Sequence, residues 1–266
     1  MIKVSKKNIK LPRRGLSSRK GDNGRVLFVG GSREYIGAVA LAGIAALRCG
    51  ADSFLAYCPE KVAFAVNALS ADIVTRKLNG EELSAVHFNK IKKSLSFADV
   101  LLTGNGISVG RSSDALIKKL LASFHGAKIL DARALYVFDQ NKLKNSILLP
   151  NPKEYEMILK KYDLKKILKN GNIIIAKNYP TKIFFKNKVY TSAGNPGLTK
   201  SGTGDVLAGL TAGFLAQNRD ILRAALSAVY FWHKTADILY KKKKGYFYLA
   251  SDLAAEVKSL KLKKKN

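Results

Sequence analysis

The stretch Gly194-Asn195-Pro196-Gly197-Leu198-Thr199-Lys200-Ser201-Gly202-Thr203-Gly204-Asp205 carries four glycines and a proline in twelve positions, so it cannot continue a helix or a strand. It runs directly into Val206-Leu207-Ala208-Gly209-Leu210-Thr211-Ala212-Gly213-Phe214-Leu215, whose apolar spacing is helical. A flexible loop therefore ends at a helix N-terminus. The first N–H groups of a helix lack internal acceptors and carry the positive end of the macrodipole. Glycines let that backbone close on a phosphate, which makes the junction an anion cradle. Asp205 stands where a carboxylate would cap the helix, and from this stretch alone a cap and a functional acid are equally open.

Working outward, short apolar runs alternate with amphipathic or apolar helical patterns. Strands are expected at 25–29, 53–57, 72–76, 99–103, 127–130, 146–149 and 172–176, and a hairpin at 182–185 and 188–190. Helices are expected at 35–49, 60–69, 81–95 and 112–124, from Pro152 onward, at 206–215, from Asp220 to 240, and at 251–260. Such alternation implies an α/β fold with a mostly parallel sheet covered on both faces, the hairpin forming an antiparallel edge. In such sheets ligands bind beyond the carboxyl ends of the strands. That edge collects Gly30-Gly31-Ser32, the loop Gly104-Asn105-Gly106, Asp131, which could bind a metal, hold a ribose hydroxyl or cap a turn, and Lys177. Glu154, early in the helix opened by Pro152, is a candidate near a metal or phosphate and equally a carboxylate at a positive helix end. His233 and Trp232 lie among apolar residues and read as packing.

The 266 residues are 47% hydrophobic, enough for one sizeable domain, and no composition break marks a linker. The two cysteines, Cys49 and Cys58, have neither disulfide nor metal spacing, which fits a reducing cytoplasm. No secretory or membrane-spanning segment is evident. A formal charge of +28 invites nucleic acid, but the lysines are spread over most polar faces, with blocks only at 241–244 and 258–265, and no recognition motif accompanies them. The field would instead gather an anionic small molecule.

Several blocks together resemble a known family. They are Lys20-Gly21-Asp22-Asn23-Gly24-Arg25-Val26-Leu27, Gly30-Gly31-Ser32, Tyr35-Ile36-Gly37-Ala38, Ala46-Leu47-Arg48-Cys49-Gly50-Ala51, Leu149-Pro150-Asn151-Pro152, Gly194-Asn195-Pro196-Gly197 and Gly202-Thr203-Gly204-Asp205-Val206-Leu207-Ala208-Gly209. In this order they resemble the NAD(P)H-hydrate dehydratases of the ribokinase-like superfamily, over almost the whole chain.

The resemblance implies one ribokinase-like domain over 1–266, a three-layer α/β/α sandwich, in the stand-alone form without an epimerase domain. It implies ADP-dependent, or ATP-dependent, dehydration of NADHX and NADPHX to NADH and NADPH, with Mg²⁺. Asp205 would be the catalytic base, with Gly202, Thr203 and Gly204 as the anion hole. Ala38, Gly104, Gly106 and Asn151 would contact the hydrated nicotinamide nucleotide. Lys177, Asn178, Tyr179, Pro180, Thr181 and Gly204 would line the nucleotide. A cytoplasmic homo-oligomer, commonly a tetramer, is implied as well.

The chain departs from the family pattern at Asn105, Asn151, Lys153, Asn178 and Lys200, the last placing a positive charge beside the cradle. A small-molecule kinase of the same superfamily, such as a hydroxyethylthiazole or pyridoxal-type kinase, and a catalytically weakened nucleotide-binding homologue are the alternative readings.

Overall fold

The computed structural model describes residues 1–9, 11, 12 and 14–257. The expected alternation is present as one ten-stranded sheet. Its strands are β1 (Ile2–Lys3), β2 (Arg25–Val29), β3 (Ser53–Pro59), β4 (Val74–Leu78), β5 (Val100–Thr103), β6 (Ala127–Leu130), β7 (Ser146–Leu148), β8 (Ile173–Ala176), β9 (Thr181–Phe185) and β10 (Lys188–Ser192). Their order is β1-β10-β9-β8-β7-β6-β5-β2-β3-β4. Strands β2 to β8 are all parallel to their neighbours within that set, whereas β9 runs antiparallel to both β8 and β10.

Because side chains alternate across a strand, β2 sends Val26 and Phe28 to one face and Leu27 and Val29 to the other, and all four are buried. The first face packs under α1 (Ile36–Arg48), α2 (Glu60–Leu69), α7 (Thr203–Asn218), α8 (Ile221–Lys242) and α9 (Ala250–Glu256). The second packs under α3 (Phe88–Lys92), α4 (Arg111–Ser123), α5 (Pro152–Lys161) and α6 (Leu164–Lys169). These are the three layers. Among the described residues no helix is long and apolar enough to cross a membrane.

Four sequence expectations need correction. The helix expected over 81–95 is instead a 3-10 turn at Ala85–His87, the five-residue α3 and a second turn at Leu95–Phe97. The Ser84 N–H donates to His87 Nδ1 at 3.1 Å, and such local side-chain bonds compete with the helical ladder. Strand β4 begins two residues later than expected. The hairpin is not the outermost edge, because β1, too short to show a period, pairs in parallel with β10. The six-residue α6 was not expected; Asp163 caps it by accepting from the Lys166 N–H at 3.2 Å. Residues 258–260 of the last expected helix, and the 258–265 lysine block, lie outside the described residues.

The block 20–27 folds at the amino ends of the strands. Asp52 accepts the N–H groups of Gly21 and Asn23 at 2.8 and 3.0 Å, and Asp99 accepts that of Arg25 at 2.9 Å. Both cysteines are free, and burial pushes each thiol up to about 12.

Helices α1 and α7 approach through small residues. A Cβ on Gly209 would stand 2.1 Å from the Ala42 carbonyl oxygen, and one on Gly213 would stand 2.6 Å from that of Ala46. An exposed mid-helix Gly→Ala change gains roughly 1 kcal/mol. Here the added methyl meets backbone, which cannot rotate away. We therefore expect Gly209→Ala to destabilise the fold by about 1–3 kcal/mol in denaturant unfolding; an unchanged or raised midpoint would show that the two helices do not touch there.

Candidate active site

Helix α7 begins at Thr203, with Gly202 as its N-cap in the left-handed region at φ 82°. That conformation favours glycine, and a Cβ there would in addition press on Leu41 Cδ1 at 2.6 Å. Asp205 is consequently the third residue of the helix, not its cap. The first turn is anchored from two sides. Thr203 Oγ1 donates to the carbonyls of Leu198 and Lys200 at 2.7 and 2.8 Å, and Trp232 Nε1 of α8 donates to the Thr203 carbonyl at 2.9 Å.

The Thr203 N–H turns back to the Lys200 carbonyl at 3.3 Å. Among the described residues the N–H groups of Gly204 and Asp205 have no such backbone acceptor, and they are the amides open to an anion.

Opposite this turn, the carboxyl ends of three strands deliver a chain of polar groups. Lys177, after β8, donates from Nζ to Asp131 Oδ1 at 2.8 Å. Asp131, after β6, accepts on Oδ2 from Asn105 Nδ2 at 2.9 Å. Asn105, after β5, donates its other amide hydrogen to Asp205 Oδ1 at 2.7 Å. A Cβ on Gly204 would lie 3.3 Å from Lys177 Nζ, which places the ammonium beside the first turn of α7.

Burial, and then the charge of Asp131, push the Asp205 carboxyl up to about 6; the Asn105 hydrogen bond and Lys177 oppose this. The result is a half-buried carboxylate poised near neutrality beside a cation and helix-terminal amides. It can take a proton from a hydroxyl while an anion is held next to it.

The structure gathers some of the expected residues and sets others apart. Gly104, at φ 110°, passes so close to β6 that a Cβ would overlap the Asp131 carbonyl oxygen at 1.9 Å. Gly106 packs 3.1 Å from Gly31 Cα and 3.0 Å from the Tyr35 carbonyl on the same measure, so its loop lies against the start of α1, which carries Ala38. Asn151 caps α5, accepting from the Glu154 N–H at 2.9 Å, while Glu154 Oε2 accepts from the Asn151 N–H at 2.8 Å. Burial and Asp131 raise the Glu154 carboxyl above the usual carboxylate range.

Of the segment 177–181, Lys177 reaches the site, Asn178 is half-buried, Tyr179 and Pro180 are exposed, and the Thr181 hydroxyl donates to the Asn178 carbonyl at 3.2 Å. His233 packs as expected: its Nδ1 meets Ser192 Oγ at 2.7 Å and its Nε2 meets Thr181 Oγ1 at 3.2 Å, and burial lowers its pKa to about 4. Lys200 corrects the sequence reading. Its ammonium donates to the carbonyls of Tyr246 and, at 2.7 Å, Tyr248, and so is held by the segment before α9.

A resident metal does not fit. Among the described residues no group of three His, Cys, Asp or Glu side chains could hold one. Both Asp131 oxygens are engaged, and Glu154 closes the capping box of α5.

The family model described as NAD(P)H-hydrate dehydratase matches residues 26–259. The chain belongs to the NAD(P)H-hydrate dehydratase family. It is 35% identical over 251 residues to the bifunctional NAD(P)H-hydrate repair enzyme of Methanocaldococcus jannaschii, covering 93% of this chain and 50% of that protein. The chain thus spans about half the length of the bifunctional relatives it matches. It is 30% identical to the ADP-dependent (S)-NAD(P)H-hydrate dehydratase of Nitrosopumilus maritimus, covering 94% of this chain and 92% of that one. The fold matches the ADP/ATP-dependent NAD(P)H-hydrate dehydratase of Bacillus subtilis, crystallised with ATP and Mg²⁺, with a TM-score of 0.75 at 24% identity, over 93% of this chain and 92% of that one. The ribokinase-like sandwich expected from the sequence is matched by a ribokinase-like superfamily protein of Enterococcus faecalis, with a TM-score of 0.80 at 25% identity over 94% of this chain and 90% of that one.

Asn105 is the residue that sequence reasoning passed over. It registered only as a departure, since nothing in the spacing of a Gly-Asn-Gly turn says that its amide bridges residues 26 and 100 positions away.

The raised carboxyl of Asp205 has a stability consequence. Between its ordinary value of 3.8 and about 6 the folded state holds a proton that the unfolded chain releases, so stability is lost as pH rises through that window and the penalty persists above it. Asp205→Asn removes the charge while keeping the shape. We expect it to be about 1–2 kcal/mol more stable than the parent near neutral pH, the two converging below about pH 4. Unfolding midpoints across pH measure this, and a variant less stable than the parent at neutral pH contradicts it.

Proposed function

We propose that the protein dehydrates the hydrated cofactors NADHX and NADPHX back to NADH and NADPH, with ADP or ATP as phosphoryl donor. The observation that carries this reading is the Asp205 carboxylate, tuned to about 6 and set beside Lys177 and the open amides of the first turn of α7. Family membership supplies the substrate class.

Hydroxide is a poor leaving group from C6 of the nicotinamide ring. Asp205 accepts the proton of the C6 hydroxyl as its oxygen takes the terminal phosphoryl group of the nucleotide. The Gly204 and Asp205 amides and the Lys177 ammonium stabilise charge on that group, the main requirement of phosphoryl transfer. The ring nitrogen lone pair then expels phosphate, and loss of the C5 proton restores the dihydropyridine. Mg²⁺ arriving with the nucleotide would neutralise phosphate charge.

The contact roles of Ala38, Gly104, Gly106 and Asn151 toward the hydrated nucleotide, and of 177–181 toward the phosphoryl donor, are part of this proposal. Asn151 keeps its amide hydrogens for a substrate, since its oxygen is committed to the cap. Cytoplasmic residence and a homo-oligomeric state belong to the same reading and rest on the family alone. A small-molecule kinase would share the glycine-aspartate turn, but the family match speaks against it.

Recovery of reduced-nicotinamide absorbance from NADPHX, with ADP or ATP, tests the reading. Asp205→Asn is expected to lower kcat by about 10²–10⁴-fold, the usual loss for a general base. For the unsubstituted protein kcat/KM should rise with pH to an inflection near 6 and level off above it, as Asp205 ionises. Near full activity in Asp205→Asn would remove the residue from this role.

A further inference from the structure

Asn105 is 1% exposed, and both hydrogens of its amide are committed to carboxylates, Asp131 at 2.9 Å and Asp205 at 2.7 Å. Among the described residues its Oδ1 is buried with no hydrogen-bond partner. An unsatisfied buried acceptor lowers stability. Turning the amide over cannot relieve that cost, because the oxygen would then face two carboxylates that have nothing to donate.

The loop fixes the residue as firmly as the carboxylates do. The Asn105 carbonyl accepts the Gly31 N–H at 2.9 Å, and a Cβ on Gly30 would stand 2.4 Å from that carbonyl oxygen. The position thus holds a polar side chain at a cost to stability, in a geometry that serves only the two acids.

We propose that Asn105 is the positioning residue of the base: its amide clamps Asp205 to Asp131 through Oδ1 and thereby presents Asp205 Oδ2 to the substrate hydroxyl. The proposal rests on the dehydratase reading for its substrate, though the clamp itself does not.

The charged groups that bear on Asp205 come from two other elements: Asp131 follows β6, and Lys177 follows β8 and pairs with Asp131. Glu154 on α5 in turn feels the charges of Asp131 and Lys177. Two like charges repel, and Lys177 contacts only one of them directly. Without the amide, Asp205 is free to swing away from Asp131 or to take up a proton, and either removes the base from its line of attack. A misplacement of about 1 Å can cost 100-fold in rate.

The test compares the unsubstituted protein with Asn105→Leu, which is near in volume and has no donors. Carbon-13 titration of the Asp205 carboxyl in the protein alone, and kcat and KM for NADPHX with ADP across pH, are measured for both. We expect the Asp205 midpoint to rise by about one pH unit in the variant, since a hydrogen bond to the charged form is lost. We expect kcat to fall roughly 10–100-fold with KM for ADP changed less than about threefold.

A purely structural role would lower the unfolding midpoint without moving the Asp205 titration, and that result overturns the proposal. So does an unchanged kcat. Should Asn105→Leu fail to fold, Asn105→Ser, smaller and unable to reach both acids, takes its place with the same expected shifts. If the unsubstituted protein recovers no NADPH, the functional reading fails, while the carbon titration still decides the clamp.

Discussion

The contact between the backbones of α1 and α7 is the constraint on which the site depends. At Gly209 the two helices are so close that no side chain of any kind fits between them. Dispersion between closely packed backbones is weak per atom and substantial in sum, and here it fixes a direction as well. With α7 seated on α1 and on the sheet, its N-terminus points at the carboxyl ends of β5, β6 and β8. Gly202, wedged against Leu41 of α1, turns the incoming loop sharply enough for Thr203 to open the helix there. The hydrogen bond from Trp232 closes the arrangement from the side of α8.

That geometry brings two carboxylates and one ammonium into a space where desolvation favours neutral groups. Each charge there has a specific partner. Lys177 meets Asp131, and the Asn105 amide stands between Asp131 and Asp205. The balance is deliberately incomplete at Asp205, whose carboxyl is raised to about 6 and whose second oxygen is uncommitted. A group of that kind is a useful base near neutral pH and a liability for stability, and the two properties have one cause. The overall charge of +28 plays no part in this local balance; the lysine nearest in sequence, Lys200, is drawn off to the carbonyls before α9.

Much of this was legible in the residues, and the reasons differ by element. Strands β2, β5, β6 and β8 are short, largely apolar runs buried on both faces, α1 is a helix-length run apolar almost all round, and α2 and α4 have periodic patterns, so their positions follow from these signals. Pro152 and Asp220 mark helix starts through local chemistry, and both stand where expected. Strand β1 escaped because two residues carry no period, and the broken helix around α3 because Ser84 and His87 bond locally within it. In the site, Asp205, Asp131 and Lys177 were visible as polar residues at strand or loop ends. Which of them touch was not visible, and neither was the withdrawal of Lys200.

The sequence by itself determined the class of fold and which polar residues end its strands, while it left Asp205 open between a helix cap and a functional acid until the family resemblance singled it out. The fold class follows from periodicity, and the gathering of those residues follows from the parallel arrangement that puts the carboxyl ends of β2 to β8 on one edge. Only the tertiary structure decided that Asn105 joins two acids, that Lys177 meets Asp131 and that Lys200 is drawn off to the carbonyls before α9. Those outcomes depend on distances of about 3 Å between residues far apart in the chain, and such distances are set by how helices and strands pack, which no local pattern encodes.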